Sequence, residues 1–156
     1  MTTFKTFITE AFSNWMRYSS QSLSDDFIEY KKKEKSKWES RARQIGAKFP
    51  LFDTEEEFKH ALDAAKIVKI SSLDTVENMT ANSSIEDIKR MVSSYHKPRN
   101  VDRIVDGFTD KTKMPLPIIL KGTKGLWIMA GNTRQSIARV MGIEPKALLI
   151  DVQDKK

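Results

Sequence analysis

The spacing of apolar and polar positions changes several times along the chain, and each change predicts an element. Phe4, Phe7, Ile8, Phe12, Trp15 and Met16 fall near one stripe at helical spacing, which predicts an amphipathic helix over residues 3–18. Ser19 to Ser24 is a polar break. Ser24 is the expected N-cap of a second helix, with Asp25 and Asp26 placed at its positive end. That helix carries Lys31-Lys32-Lys33-Glu34-Lys35-Ser36-Lys37-Trp38, continues past Arg41 and Arg43, and stops at Gly46 and Pro50. Thr54 and Glu57 form a capping box that opens a helix reaching about Ala65. Residues 66–70 read as the first core strand, followed by a polar connection from Ser71 to Ser83. Ser84 and Asp87 cap a helix whose inner face is Ile85, Ile88, Met91 and Val92, broken at His96-Lys97-Pro98-Arg99. Val101, Ile104, Val105 and Phe108 mark another helix. Pro115 and Pro117 suit only a strand start or edge, Lys121 to Gly125 a hairpin turn, and Ala147 to Val152 a final strand.

The stretch from Leu126 to Ile143 carries the chemistry. Leu126 to Met129 reads as a buried strand, Ala130-Gly131-Asn132 as an abrupt turn, and the following residues as a helix ended by Gly142. Ile137, Val140 and Met141 give that helix its apolar face, and Asn132 or Thr133 is expected to cap it. Free amides and the positive helix end then converge beside Arg134, which is anion-binding geometry. Arg134 suits phosphate because its planar fork makes two parallel charge-assisted hydrogen bonds. Gly131, Asn132, Thr133 and Arg134 are thus the expected phosphate ligands, with Arg99 and a hydroxyl from Ser71 or Ser72 as further candidates. The competing readings are a junction that binds nothing, an Arg134 that pairs with a nearby acid, and serines that cap their own loop.

Composition narrows the class. The chain has 156 residues, 39% hydrophobic and 31% charged, which describes one folded domain with a small extension. No run approaches the ~20 apolar residues of a membrane span, and Glu10 interrupts any apolar leader core. With no cysteine there is no disulfide or thiolate zinc site, which fits a cytoplasmic setting, and two histidines far apart suggest no metal cluster. The formal charge is +6. Residues 1–48 hold 10 basic and 6 acidic side chains (+4), the remainder 17 and 15 (+2). The excess points to Lys31, Lys32, Lys33, Lys35, Lys37 and Arg41 as candidate contacts to a DNA or RNA backbone; a merely solvated helix face is the alternative.

Ala130-Gly131-Asn132-Thr133-Arg134, with Ala138-Arg139 and Gly142-Ile143, resembles the Gly-x-x-Arg box of the ParB/sulfiredoxin superfamily. Pro115 to Leu120 resembles that superfamily's proline-led strand. Ile67 to Leu73 resembles its first strand and loop. The similarity spans roughly residues 66–152. It implies a box whose backbone and arginine hold nucleotide phosphates, and a setting that ranges from nucleotide hydrolases, kinases and nucleases to non-enzymatic switches. Kinase-like members place a base early in the domain, which puts Asp74 and Glu77 forward as catalytic or Mg2+-linked acids. Sulfiredoxins need a cysteine after the box glycine, where this chain has Asn132, so peroxiredoxin repair is not expected. Chromosome-partitioning members carry a Glu-Arg-Arg type box and a downstream helix-turn-helix that this sequence lacks before Lys156.

The expectation is therefore a small α/β (α+β) mixed-sheet domain of ParB/sulfiredoxin type over residues 51–156, preceded by a helical extension over 1–50. Its expected role is phosphate binding of a nucleotide or nucleic acid, with a nucleoside triphosphate and Mg2+ as cofactor and turnover left open. The alternative is a non-catalytic interaction module that docks on a protein partner or dimer mate through Phe4–Met16. The segment Thr3 to Ala11 resembles the opening of small tailed-phage proteins, which would place the chain in a host cytoplasm.

Overall fold

The computed structural model describes residues 14–34, 43–47, 51–77, 79–80, 84–93 and 100–152. In chain order its elements are β1 (Trp15–Met16), α1 (Ser20–Glu34), α2 (Glu55–Ala64), β2 (Lys66–Lys69), a 3-10 turn (Ile70–Ser72), β3 (Val76–Glu77), α3 (Ile85–Ser93), α4 (Val101–Thr109), β4 (Met114–Pro115), β5 (Ile118–Lys121), β6 (Leu126–Ala130), α5 (Asn132–Val140) and β7 (Lys146–Asp151). Five strands make one mixed sheet in the order β2-β7-β5-β6-β3. The β5/β6 hairpin and the β2/β7 pair are antiparallel, whereas β7 runs parallel to β5 and β3 parallel to β6. This is a small α/β domain, as the sequence predicts.

Strand alternation sorts the core into two layers. Ile118, Leu120, Trp127, Met129, Leu148 and Ile150 face the helices and join the larger apolar cluster. Ile119, Leu126, Ile128 and Ala147 face the other way and cluster with Val76 of β3 and with Ile70 from the 3-10 turn after β2. Both faces are buried, so the strands read as continuous apolar runs rather than alternating ones.

The caps expected at Thr54, Ser84 and Gly142 form. Thr54 accepts from the Glu57 amide at 3.1 Å while Glu57 reaches back to the Asp53 amide at 3.1 Å. Ser84 accepts from Asp87 N–H at 3.1 Å, and Asn100 caps α4 at Arg103 N–H, 3.0 Å. At the end of α5, Gly142 has φ +75°, and the amides of Gly142 and Ile143 bond to Arg139 and Ala138 carbonyls. Those two bonds are a Schellman motif, which satisfies carbonyls the helix leaves open.

The N-terminal part departs from expectation. Trp15 and Met16 are extended, not helical, because their segment pairs in parallel with β4. Trp15 is a core residue, packed edge-on to Phe108 at 5.2 Å and donating its indole N–H to the Glu144 carbonyl at 2.9 Å. A helical residue 15 would lose that pairing. The second helix starts at Ser20, earlier than Ser24, because Ser19 and Ser22 cap reciprocally: each side chain accepts the other's amide, at 2.8 and 3.0 Å. Asp25 and Asp26 consequently lie beyond the first turn. Arg17 donates to the Leu62 and Ala65 carbonyls and so supplies the cation that α2 lacks in its own last turn. Tyr30 is fully buried in α1, and its hydroxyl accepts the Leu51 and Phe52 amides. Residues 43–47 lie against the β5/β6 turn, where Lys124 N–H donates to the Ile45 carbonyl at 2.8 Å. Trp15, Leu23, Tyr30, Ile45 and Ala47 belong to the same apolar cluster as the helix-facing side of the sheet. The stripe residues Phe4 to Phe12 lie outside the described residues. Among the described residues, no helix is long and apolar enough to cross a membrane.

Candidate anion site at the start of α5

β6 runs buried to Met129 and delivers the chain to Gly131, whose φ is +85°. This left-handed conformation suits glycine. Space imposes the same choice: a Cβ there would lie 2.6 Å from Pro117 Cα and 2.9 Å from Arg134 Nη2. Gly131 is the N-cap of α5, and no side chain caps the helix. The expected capping by Asn132 or Thr133 is corrected here, because both are already inside the helix and Thr133 is buried. The first intrahelical bond runs from Gln135 N–H to the Gly131 carbonyl at 3.0 Å. The amides of Asn132, Thr133 and Arg134 precede it and find no carbonyl within the helix.

Asn132 instead clamps the chain emerging from β3. Its Oδ1 accepts from the Thr80 amide at 3.0 Å and from Gln135 Nε2 at 3.0 Å. A backbone N–H can only donate, which assigns that oxygen and leaves the Asn132 NH2 group outside the clamp. Gln135 and Ser136, both fully buried, donate to the Thr80 carbonyl at 2.6 and 3.1 Å. Gln135 Oε1 in turn accepts Arg139 Nε at 2.7 Å. Thr80, Asn132, Gln135 and Ser136 thus form one connected polar network that ties the start of α5 to the chain after β3 and fixes the turn.

Arg134 folds back over Gly131. Its Nη2 makes a long 3.5 Å contact with the Leu116 carbonyl and lies 3.9 Å from Asp26 Oδ2 of α1. Both side chains are largely enclosed, 17% and 15% exposed. The arginine and the helix start therefore converge with the Leu116-Pro117 segment and with an acid from the N-terminal helix.

The remaining candidates are spread out. Ser71 and Ser72 follow β2, which ends on the same side of the sheet as Gly131, because Lys69 is opposite Lys146 and Ile118 is opposite both Leu148 and Ala130. Three strand spacings, about 14 Å, separate β2 from β6. Ser72 bonds its own loop at the Lys69 carbonyl, 2.6 Å, and both serines are exposed. Glu77 is opposite Trp127, four residues before Gly131, or about 13 Å along the strand. Asp74 precedes β3 and is exposed, like Glu77. Among the described residues, no three His, Asp or Glu side chains gather to hold a metal. Arg99 lies outside the described residues.

On the basic helix, Lys31 Nζ sits 5.6 Å from the Phe27 ring and 5.8 Å from Tyr30, so its stem covers the aromatic cluster of α1. Lys32 is exposed and pairs with Glu29 at 3.6 Å. The Lys33 side chain, Lys35, Lys37 and Arg41 lie outside the described residues. Reading the sequence missed Thr80, Gln135, Ser136 and Asp26. A signal existed for one of them: Ser136 lies one turn before Val140, so the apolar stripe continues as a polar residue towards its N-terminal end. The chain matches no protein-family model, no curated protein and no solved structure.

Proposed function

We propose that this chain binds a phosphate group of a nucleotide or nucleic acid at the start of α5. The observation that carries the reading is the left-handed Gly131 turn, which opens an α-helix with no side-chain cap and sets Arg134 against it. Amides that have no acceptor within the helix, the positive helix end and a guanidinium favour the same kind of ligand, an oxyanion with acceptors only. The resemblance of residues 66–152 to the ParB/sulfiredoxin superfamily supports a nucleotide in particular. If the ligand is a triphosphate with Mg2+, the ion is held through phosphate oxygens and water, since this ion keeps much of its hydration shell and needs few protein ligands. The acids Asp74 and Glu77 lie toward the opposite end of β6 from Gly131, so binding is the proposed activity and not turnover through them.

A nucleotide panel in a thermal-shift assay, with and without Mg2+, tests this reading. One or more nucleotides should raise the melting temperature. Arg134→Ala should weaken binding of the best of them by about 1.5–3 kcal/mol, as for lost charge-assisted hydrogen bonds. Unchanged affinity in calorimetry would remove the turn from the account.

A further inference from the structure

The outer edge of β2 carries a second set of unused backbone groups, away from the Gly131 turn. β2 pairs with β7 and, among the described residues, with no other strand. In an antiparallel pair, alternate residues of an edge strand turn their backbone groups inward and outward. Ile70 N–H donates to the Pro145 carbonyl at 2.9 Å, while Leu148, opposite Ile67, donates away from β2 to the Pro117 carbonyl at 2.8 Å. Lys66, Val68 and Ile70 therefore face β7, and Ile67 and Lys69 face outward. The open edge is bounded at both ends. Arg17 donates to the Ala65 carbonyl at 2.9 Å, and the Ser72 hydroxyl donates to the Lys69 carbonyl at 2.6 Å. Between them remain the N–H and C=O of Ile67 and the N–H of Lys69, the pattern that an added strand completes.

The side chains on this edge select what can pair with it. Ile67 is 49% exposed and, with Ile28 of α1, one of two exposed large apolar side chains among the described residues. Ile28 stands between exposed Asp25 and Lys32 on a helix, whereas Ile67 stands beside open backbone groups. Exposed Lys66 and Lys69 flank Ile67 and Val68, and the exposed Arg17 lies at the Ala65 end. The Glu144 carboxylate is 3.9 Å from Lys69, an exposed pair of the kind that contributes little. Lysines on an open edge oppose a basic strand. A second copy of this chain brings the same lysines and a formal charge of +6, so an acidic strand is the complementary occupant. We infer that β2 is a docking edge for an extended segment of a partner protein with the order acid, apolar, apolar, acid. Paired antiparallel, its acids lie opposite Lys66 and Lys69 and its apolar residues opposite Ile67 and Val68, each pair sharing one face of the sheet. The backbone bonds supply affinity and the lysines choose the partner. This docking is independent of phosphate binding at Gly131.

A fluorescein-labelled peptide, Thr-Glu-Val-Val-Glu-Thr with blocked ends, titrated into the full chain by fluorescence anisotropy tests the docking. Binding should saturate. In the antiparallel register the second valine turns its N–H to Ile67 and the first turns its N–H away. N-methylation of the second should therefore weaken binding at least about 10-fold, and N-methylation of the first should not. Lys66→Glu combined with Lys69→Glu changes only exposed side chains of the edge. That variant should lose the acidic peptide and gain Thr-Lys-Val-Val-Lys-Thr, with its melting temperature showing that it is folded. No saturable binding by the parent protein, or equal loss with either methyl position, overturns strand addition. Equal binding of the acidic and basic peptides by the parent overturns the choice of partner. So does a dimer of the parent that the acidic peptide dissociates, because it assigns the edge to a second copy.

Discussion

Gly131 and Asp63 show how single side chains act here. At Gly131 two independent restraints coincide, a φ of +85° and a Pro117 backbone atom 2.6 Å from any Cβ. Alanine must then pay for the left-handed backbone and also displace Pro117, at a combined cost of at least about 2 kcal/mol. Denaturant unfolding of Gly131→Ala should show a midpoint lowered accordingly; an unchanged midpoint would contradict the turn geometry. At the surface, Tyr18 donates its hydroxyl to Asp63 at 2.5 Å and Lys59 donates at 3.1 Å. The Tyr18 bond first, and then that of Lys59, hold the Asp63 carboxyl below its ordinary value of 3.8, while Asp63 pushes the Tyr18 hydroxyl above 10.0. A carboxyl depressed in the folded state stabilises fully above its unfolded value, and that stabilisation is lost as pH falls through the folded value. The stability difference between the parent and Asp63→Asn should therefore be constant from pH 5 to 8 and shrink below about pH 4. A difference that persists into strong acid would show that the contact does not depend on the charge.

At the scale of elements, α1 is held to the body of the protein by more than apolar contact. Tyr30, stacked on Phe58 and edge-on to Phe52, accepts two amides of the segment that leads into α2. Replacing it by phenylalanine keeps the ring and leaves the buried Leu51 and Phe52 amides without this acceptor. The expected loss is about 1–3 kcal/mol, read as a lower unfolding midpoint without a change in slope. A loss under about 0.5 kcal/mol would mean that water reaches both amides. The β1 segment is tied similarly, through Trp15 to Glu144 and Arg17 to the end of α2. The same N-terminal elements thus tie to the sheet domain and supply Asp26 to the start of α5.

At the scale of the whole molecule, charge is unevenly distributed, with +4 of the formal +6 carried before residue 49. If the basic run contacts nucleic acid, affinity should be independent of sequence and fall with salt, at a slope near −0.9 per duplex phosphate neutralised. Reversing Lys32, Lys33 and Lys37 to Glu should lower both affinity and slope in fluorescence anisotropy at three salt concentrations. A parent protein that binds no nucleic acid even at low salt would leave this run as a solvated helix face. Attention would then pass to Phe4–Phe12, the part of the aromatic stripe upstream of β1, as the place for a protein partner.

Elements governed by near neighbours were legible in the sequence. The capping signals at Thr54, Ser84 and Gly142, the hairpin at Lys121 to Gly125 and the strand–glycine–helix junction at Gly131 each depend on residues within a few positions. Their conformations follow from local hydrogen bonding and sterics. Arrangements that join distant parts of the chain were not legible. Trp15 and Met16 carry a helical pattern, yet pairing with Met114 and Pro115 draws them into a strand, because tertiary contacts outweigh weak local propensity. Asn132 reads as a cap, but Thr80, 52 residues away, takes its oxygen. Strand order set the distances of Ser71, Ser72 and Glu77 from Gly131, and helix packing brought Asp26 to Arg134. Local spacing defined the turn and its arginine; only the folding of the chain back on itself decided which groups surround them.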